Sequence, residues 1–102
     1  MSEIRIKNLR KEKIKEDWDY KICRNISKLG NPYYMKDESE RDMVCLKYQK
    51  WFYKNLDSLL PELYNLVAIY KRYGQLNLFC WCAPKRCHAE TIKEWLENNG
   101  CK

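Results

Sequence analysis

The chain is poor in the residues that loosen or interrupt a fold. Of its 102 residues only 3 are Gly and 3 are Pro, which excludes a disordered or collagen-like polypeptide. No stretch approaches the ~20 consecutive apolar residues of a membrane span. Met1 to Lys15 is charged and lacks the apolar region of a secretory leader, so a cytoplasmic protein that does not contact membranes is expected. Histidine occurs once, at His88, so no complete acid–base pair is visible. There is no internal repeat and no low-complexity tract.

What is present fits one small α/β domain, spanning residues 1–102. Hydrophobic residues make up 45% of the chain and aromatics 14%, including 4 Trp and 8 Tyr. That is enough for a core at a length that is small for a stand-alone enzyme. The 20 Lys+Arg against 14 Asp+Glu leave a net charge of +6, which favours an anionic partner.

The six cysteines are unevenly spread. Cys80, Cys82 and Cys87 crowd beside His88, whereas Cys23, Cys45 and Cys101 stand singly. With no leader and an aromatic-rich composition, they are read as reduced thiols and not as a disulfide framework.

Alternation of apolar and polar residues predicts a strand over Glu3–Leu9 and another over Trp18–Arg24. The charged connector Arg10–Asp17 between them suggests an antiparallel pair. Gly30-Asn31-Pro32 marks a loop. A helix follows, with Asp37 and Ser39 as candidate caps and an apolar face of Val44, Tyr48, Trp51, Phe52 and Leu56. Asp57-Ser58 should break it. A second helix starts near Pro61 and stops at Gly74, a candidate left-handed cap. Gln75–Cys82 is apolar on both faces, as in a strand covered on both sides, and Pro84 ends it. The last helix begins at His88 or Ala89 and finishes at Asn98-Asn99-Gly100. Trp51, Trp81 and Trp95 are read as core. The order is strand, strand, helix, helix, strand, helix, a sheet of about three strands. The helical crossover makes the Trp18 and Leu76 strands parallel.

In open α/β sheets, ligands sit beyond the carboxyl ends of the strands. Here that crevice should be lined by Arg24, Lys28, Gly30, Asn31, Lys85, Arg86, Cys87 and His88. The first turn of the last helix adds unpaired N–H groups and a positive dipole end. Arginine suits phosphate or carboxylate. Arg41 either reaches this crevice or bonds an acidic neighbour such as Asp37. A phosphate-bearing small molecule is the natural ligand.

The cysteine cluster admits three readings. Cys80, Cys82, Cys87 and His88 have the number and type of ligands for a structural zinc, although the spacing is not the usual two-residue knuckle. Cys87, at a helix start beside His88 and Arg86, has surroundings that lower a thiol pKa, making Cys87 and His88 candidate catalytic residues. In the third reading the thiols simply pack the strand and no cofactor is needed.

Arg24, Gly30-Asn31-Pro32, Arg41, Tyr48, Trp51, Leu78 through Cys82, Pro84, Cys87 and His88 together resemble an uncharacterised family of small bacterial and phage proteins, the domain-of-unknown-function family DUF4326. The opening Ile6-Lys7-Asn8-Leu9-Arg10 is similar as well. The resemblance covers nearly the whole chain, and the Cys-Trp-Cys…Cys-His close is its most specific part. Cys23 departs from it, standing where glycine is expected, and the charged insert Glu12–Asp17 is longer than usual. The resemblance implies a fold and a set of site positions but no reaction. A phage context would suit nucleotide metabolism or interference with host defence.

Three functions are therefore weighed. The first is binding of a nucleotide-like or other phosphorylated small molecule, with or without chemistry on it. The second is a protein-interaction factor, such as an inhibitor of a host enzyme. The third is a nucleic-acid-binding module, favoured less because acids are interspersed among the bases, as in Lys11–Asp19.

Overall fold

The computed structural model describes residues 3–22, 27–33, 36–81 and 87–100. Within them the elements run β1 (Ile4–Asn8), β2 (Asp19–Lys21), α1 (Arg41–Lys54), α2 (Leu56–Tyr73), β3 (Leu76–Cys80) and α3 (Ala89–Asn99), with a single 3-10 turn at Glu38–Glu40 leading into α1. The expected α/β order is therefore present.

The sheet order is β1-β3-β2 and every pairing is parallel. Ile4 pairs with Leu76 and Asn8 with Cys80 on one side of β3, and Asp19 pairs with Asn77 on the other. This corrects the antiparallel pairing expected of the first two strands, which are separated by β3. The correction has a geometric basis. A five-residue strand is only ~17 Å long. The ten residues 9–18, at up to ~3.3 Å each, can return along it and step over β3 without a helix. Hydrogen bonds fold the connector back: the backbone N–H groups of Lys15 and Glu16 both donate to Asp19 Oδ2, at 3.1 and 3.0 Å.

The two crossovers lie on opposite faces. Ile4, Leu76, Leu78 and Cys80, with Ile22, pack into the core with Leu59, Leu63, Leu66, Ile92 and Leu96 of the helices. Arg5, Lys7, Asn77 and Phe79 face the connector, where they line one cavity with Glu12, Lys13, Lys15 and Glu16. Two crossovers that traverse a sheet in opposite directions on opposite faces share one handedness, as parallel sheets require. β3 is consequently buried along its whole length, the two-sided burial its sequence implies. Each large side chain closed off in this way, such as Phe52 or Leu78, contributes about 1.5–3 kcal/mol.

Helix boundaries and tryptophan burial follow their sequence signals with two exceptions. Asp37 caps the 3-10 turn by accepting from Ser39 N at 2.9 Å. Gly74 has φ of 72° and closes α2 with a 2.7 Å bond to the Tyr70 carbonyl. The break between α1 and α2 falls at Asn55, not at Asp57-Ser58, and Pro61 lies inside α2. Asn55 ends α1 twice over, since both its backbone N–H and its side-chain amide donate to the Trp51 carbonyl, at 3.0 and 2.9 Å. Pro61 then forfeits one hydrogen bond near the start of α2, where few are yet formed. The second exception is Trp81, which is 54% exposed, whereas Trp95 is buried and Trp51 half-buried. β3 has already ended at Cys80, and the Arg10 guanidinium lies over the Trp81 ring. Among the described residues no helix is long and apolar enough to cross a membrane.

Candidate functional site

The parallel sheet sends the carboxyl ends of β2 and β3 to one end of the molecule. Pairing extends just past the strands there, with Ile22 N donating to the Phe79 carbonyl at 3.1 Å and Leu9 N to the Cys80 carbonyl at 2.9 Å. α3 begins at the same end.

His88 joins these parts. Its Nε2 lies 2.7 Å from the Ile22 carbonyl oxygen, and its ring meets the edge of Tyr48 at 5.1 Å and 65°. Burial holds the imidazole below its ordinary pKa, partly opposed by the Ile22 hydrogen bond. A carbonyl only accepts, so the neutral ring carries its proton on Nε2.

Tyr48, fully buried in α1, donates to the Leu29 carbonyl at 2.7 Å. Burial pushes its phenol far above the usual value, with the charge of Glu62 adding to the effect. This bond anchors the loop 27–33 to the helices. The loop is a tight turn in which Gly30 N donates to the Ser27 carbonyl at 3.0 Å and Leu29 N to Ser27 Oγ at 3.0 Å. Asn31 Oδ1 accepts from Tyr33 N at 2.9 Å, a local turn bond.

Glu62 of α2 closes the cluster. Its Oε1 accepts from Tyr20 Oη at 2.7 Å and from Ser27 Oγ at 2.6 Å. Burial, together with this carboxylate, pushes the Tyr20 phenol up to about 12. Beside Glu62 lies an open cavity of about 370 Å³, lined also by Lys28, Ser58 and Pro61.

The remaining sequence candidates divide as follows. Lys28, Gly30, Asn31, Cys87 and His88 belong to elements at the strand ends. Arg41 is paired with Glu38 by two hydrogen bonds, Nε at 2.9 Å and Nη2 at 2.8 Å, and not with Asp37. Arg24, Cys82, Lys85 and Arg86 lie outside the described residues. Cys80 and Cys87 are buried thiols with their sulfurs 3.3 Å apart. The Cys87 N–H donates to Glu90 Oε2 at 3.3 Å, so the chain's own carboxylate meets the first turn of α3, where an external anion was expected. For zinc, the described residues contain no group of three or more ligating side chains, and His88 has committed Nε2 to Ile22.

Tyr20, Ser27 and Glu62 were not singled out from the sequence. A signal was there for the last of them. Leu59, Leu63 and Leu66 form a buried helical stripe, and Glu62 occupies the remaining i+3 position of it. A carboxylate on a buried stripe is more informative than a carboxylate on a solvated face.

The fold and site define a small α/β protein with a three-stranded parallel sheet and a polar cluster at the strand ends. The chain belongs to the family described as a domain of unknown function, DUF4326, which matches residues 5–98. No curated protein and no solved structure matches it.

Proposed function

We propose that the protein binds a nucleotide-like or other phosphorylated small molecule at the carboxyl ends of β2 and β3. The observation that carries this reading is the cavity of about 370 Å³ at that end, which combines a cation, Lys28, with the hydrogen-bonding groups of Ser58 and Glu62. Ligands of parallel α/β sheets gather at this end, and a mixed cationic and acceptor lining suits a phosphate joined to a polar organic group. Arg24 and Arg86 follow the strands in sequence and are the further phosphate partners of this reading.

Binding is better supported than turnover. The only histidine is buried and holds a backbone carbonyl through Nε2, and the Cys87 sulfur packs against Cys80. Equilibrium binding of a panel of nucleoside mono-, di- and triphosphates tests the reading. Saturable binding that Arg24→Ala and Lys28→Ala each weaken is expected. A panel without a binder, or binding indifferent to both variants, would overturn it.

A second reading, a protein-interaction factor, is favoured by Met43, Leu46 and Tyr53, which recur at helical spacing on α1 and are 46–60% exposed. If it is right, Leu46→Lys abolishes association with the partner and leaves nucleotide binding intact.

A further inference from the structure

The four tryptophans divide unevenly between core and surface. Trp95 is buried and Trp18 and Trp51 are half-buried, but Trp81 is 54% exposed. It directly follows β3, at the carboxyl end where the ligands of parallel sheets gather. An indole left in water forgoes the stabilisation that its burial would bring.

Trp81 is nonetheless firmly held. The side-chain amide of Asn8, at the end of β1, serves both halves of a pair. Its Nδ2 donates to the Trp81 carbonyl at 3.3 Å, and its Oδ1 accepts from Arg10 N at 2.7 Å. Between these anchors Leu9 N donates to the Cys80 carbonyl at 2.9 Å. The Arg10 guanidinium lies over the indole, 5.9 Å from the ring centroid. No carboxylate among the described residues forms an ion pair with that guanidinium.

This pair has a definite chemistry. A solvent-facing indole backed by a guanidinium offers a π-face to a flat ring and a positive charge to an anion. Stacking on an aromatic side chain demands no particular hydrogen-bond pattern, because every nucleobase has a π-face. A ligand that carries both a heteroaromatic ring and a phosphate uses both groups at once.

We propose that Trp81 is the nucleobase-stacking residue at the carboxyl end of the sheet, with Arg10 backing the indole and supplying positive charge beside it. The assignment rests on the nucleotide reading of the preceding section, and the experiment separates the two.

Wild-type protein, Trp81→Leu and Trp81→Phe are titrated with adenosine and uridine 5′-monophosphates and with ribose 5-phosphate, which keeps sugar and phosphate but lacks the base. The wild type binds the adenosine nucleotide roughly 5- to 150-fold more tightly than ribose 5-phosphate, the range of one base–aromatic stack. Adenosine outbinds uridine, because the larger ring covers more of the indole. Trp81→Leu loses the advantage of the base while keeping its affinity for ribose 5-phosphate, and Trp81→Phe retains part of that advantage. The ring is exposed, so neither variant empties the core. Equal binding of nucleotide and ribose 5-phosphate by the wild type would overturn the stacking assignment and leave the phosphate site standing, and so would an undiminished base advantage in Trp81→Leu. A single-stranded oligonucleotide bound through Trp81, with no free nucleotide bound, would uphold the stacking and overturn the small-molecule reading. If nucleotide, sugar phosphate and oligonucleotide all fail to bind, both fall together.

Discussion

His88 Nε2 and the Ile22 carbonyl oxygen lie 2.7 Å apart, tying the start of α3 to the end of β2 across 66 positions of sequence. The imidazole is neutral because burial outweighs the hydrogen bond that would favour its charged form. The consequence for stability has a definite sign. The unfolded chain takes up a proton near the ordinary value of 6.5, and the folded one only at lower pH. Between those two values the unfolded state binds more protons, so stability falls as pH is lowered through that window and is fully present above it. Thermal unfolding from pH 7.5 to pH 5 should show this decline, and His88→Gln should flatten it. An equally steep decline in the variant would place its origin elsewhere.

Tyr48 is the link between α1 and the turn 27–33. Tyr48→Phe leaves the ring and its packing on Phe52 and His88 intact but strips the buried Leu29 carbonyl of its donor. A loss of about 1–3 kcal/mol is expected in urea unfolding. Amide exchange at Leu29 and Gly30 should quicken more than exchange in β3. A variant as stable as the wild type would mean that the turn does not depend on this bond.

The thiols of Cys45, Cys80 and Cys87 are buried, the last two with their sulfurs in contact. Alkylation by iodoacetamide should therefore be slow at these three positions in the native protein and fast in urea, as read by peptide mass mapping. Cys87→Ala removes a core sulfur and should cost about 1 kcal/mol or somewhat more. Rapid native alkylation confined to Cys87 would instead identify an accessible, activated thiol and restore the nucleophile reading.

How much of this was legible in the sequence depended on whether a signal was local. The two-sided apolar run at Leu76–Cys80, the glycine at Gly74 and the restart of helix after Cys87 are local signals, and each marks the element it suggests. The partner of β1 is not local information. A charged ten-residue link reads equally well as a hairpin arm or as a crossover, and only the later arrival of β3 between the two strands decides it. The cysteine-rich close stands out in the sequence because rare residues cluster there. The Tyr20–Ser27–Glu62 cluster is drawn from three common residues separated by up to 42 positions, and only the register of α2 against β2 brings them together. The attraction of the α3 N-terminus for an anion was sound physics, but Glu90, three residues after Cys87, answers it from within the chain.

The same register places Asp19 between the sheet and the connector, where its loss should be felt on both sides. Its Oδ1 accepts from Asn77 Nδ2 at 2.7 Å, and its Oδ2 accepts from the N–H groups of Lys15 and Glu16. Burial alone would raise the carboxyl pKa, but the Asn77 amide, the two backbone N–H groups and the Lys7 charge together hold it below the ordinary 3.8. Its contribution to stability is present above 3.8 and disappears as pH falls through the lower folded value. This is a separate and more acidic window than that of His88. Asp19→Ala leaves the buried Asn77 side chain without its hydrogen-bond partner among the described residues, because Oδ1 of that amide has none there. The expected cost is about 1–3 kcal/mol in urea unfolding at neutral pH. Amide exchange should accelerate at Lys15 and Glu16 first, since those N–H groups lose their acceptor outright, and only weakly at Leu78 in the centre of β3. Uniform acceleration across sheet and connector would show that Asp19 stabilises the whole fold and not the connector crossing.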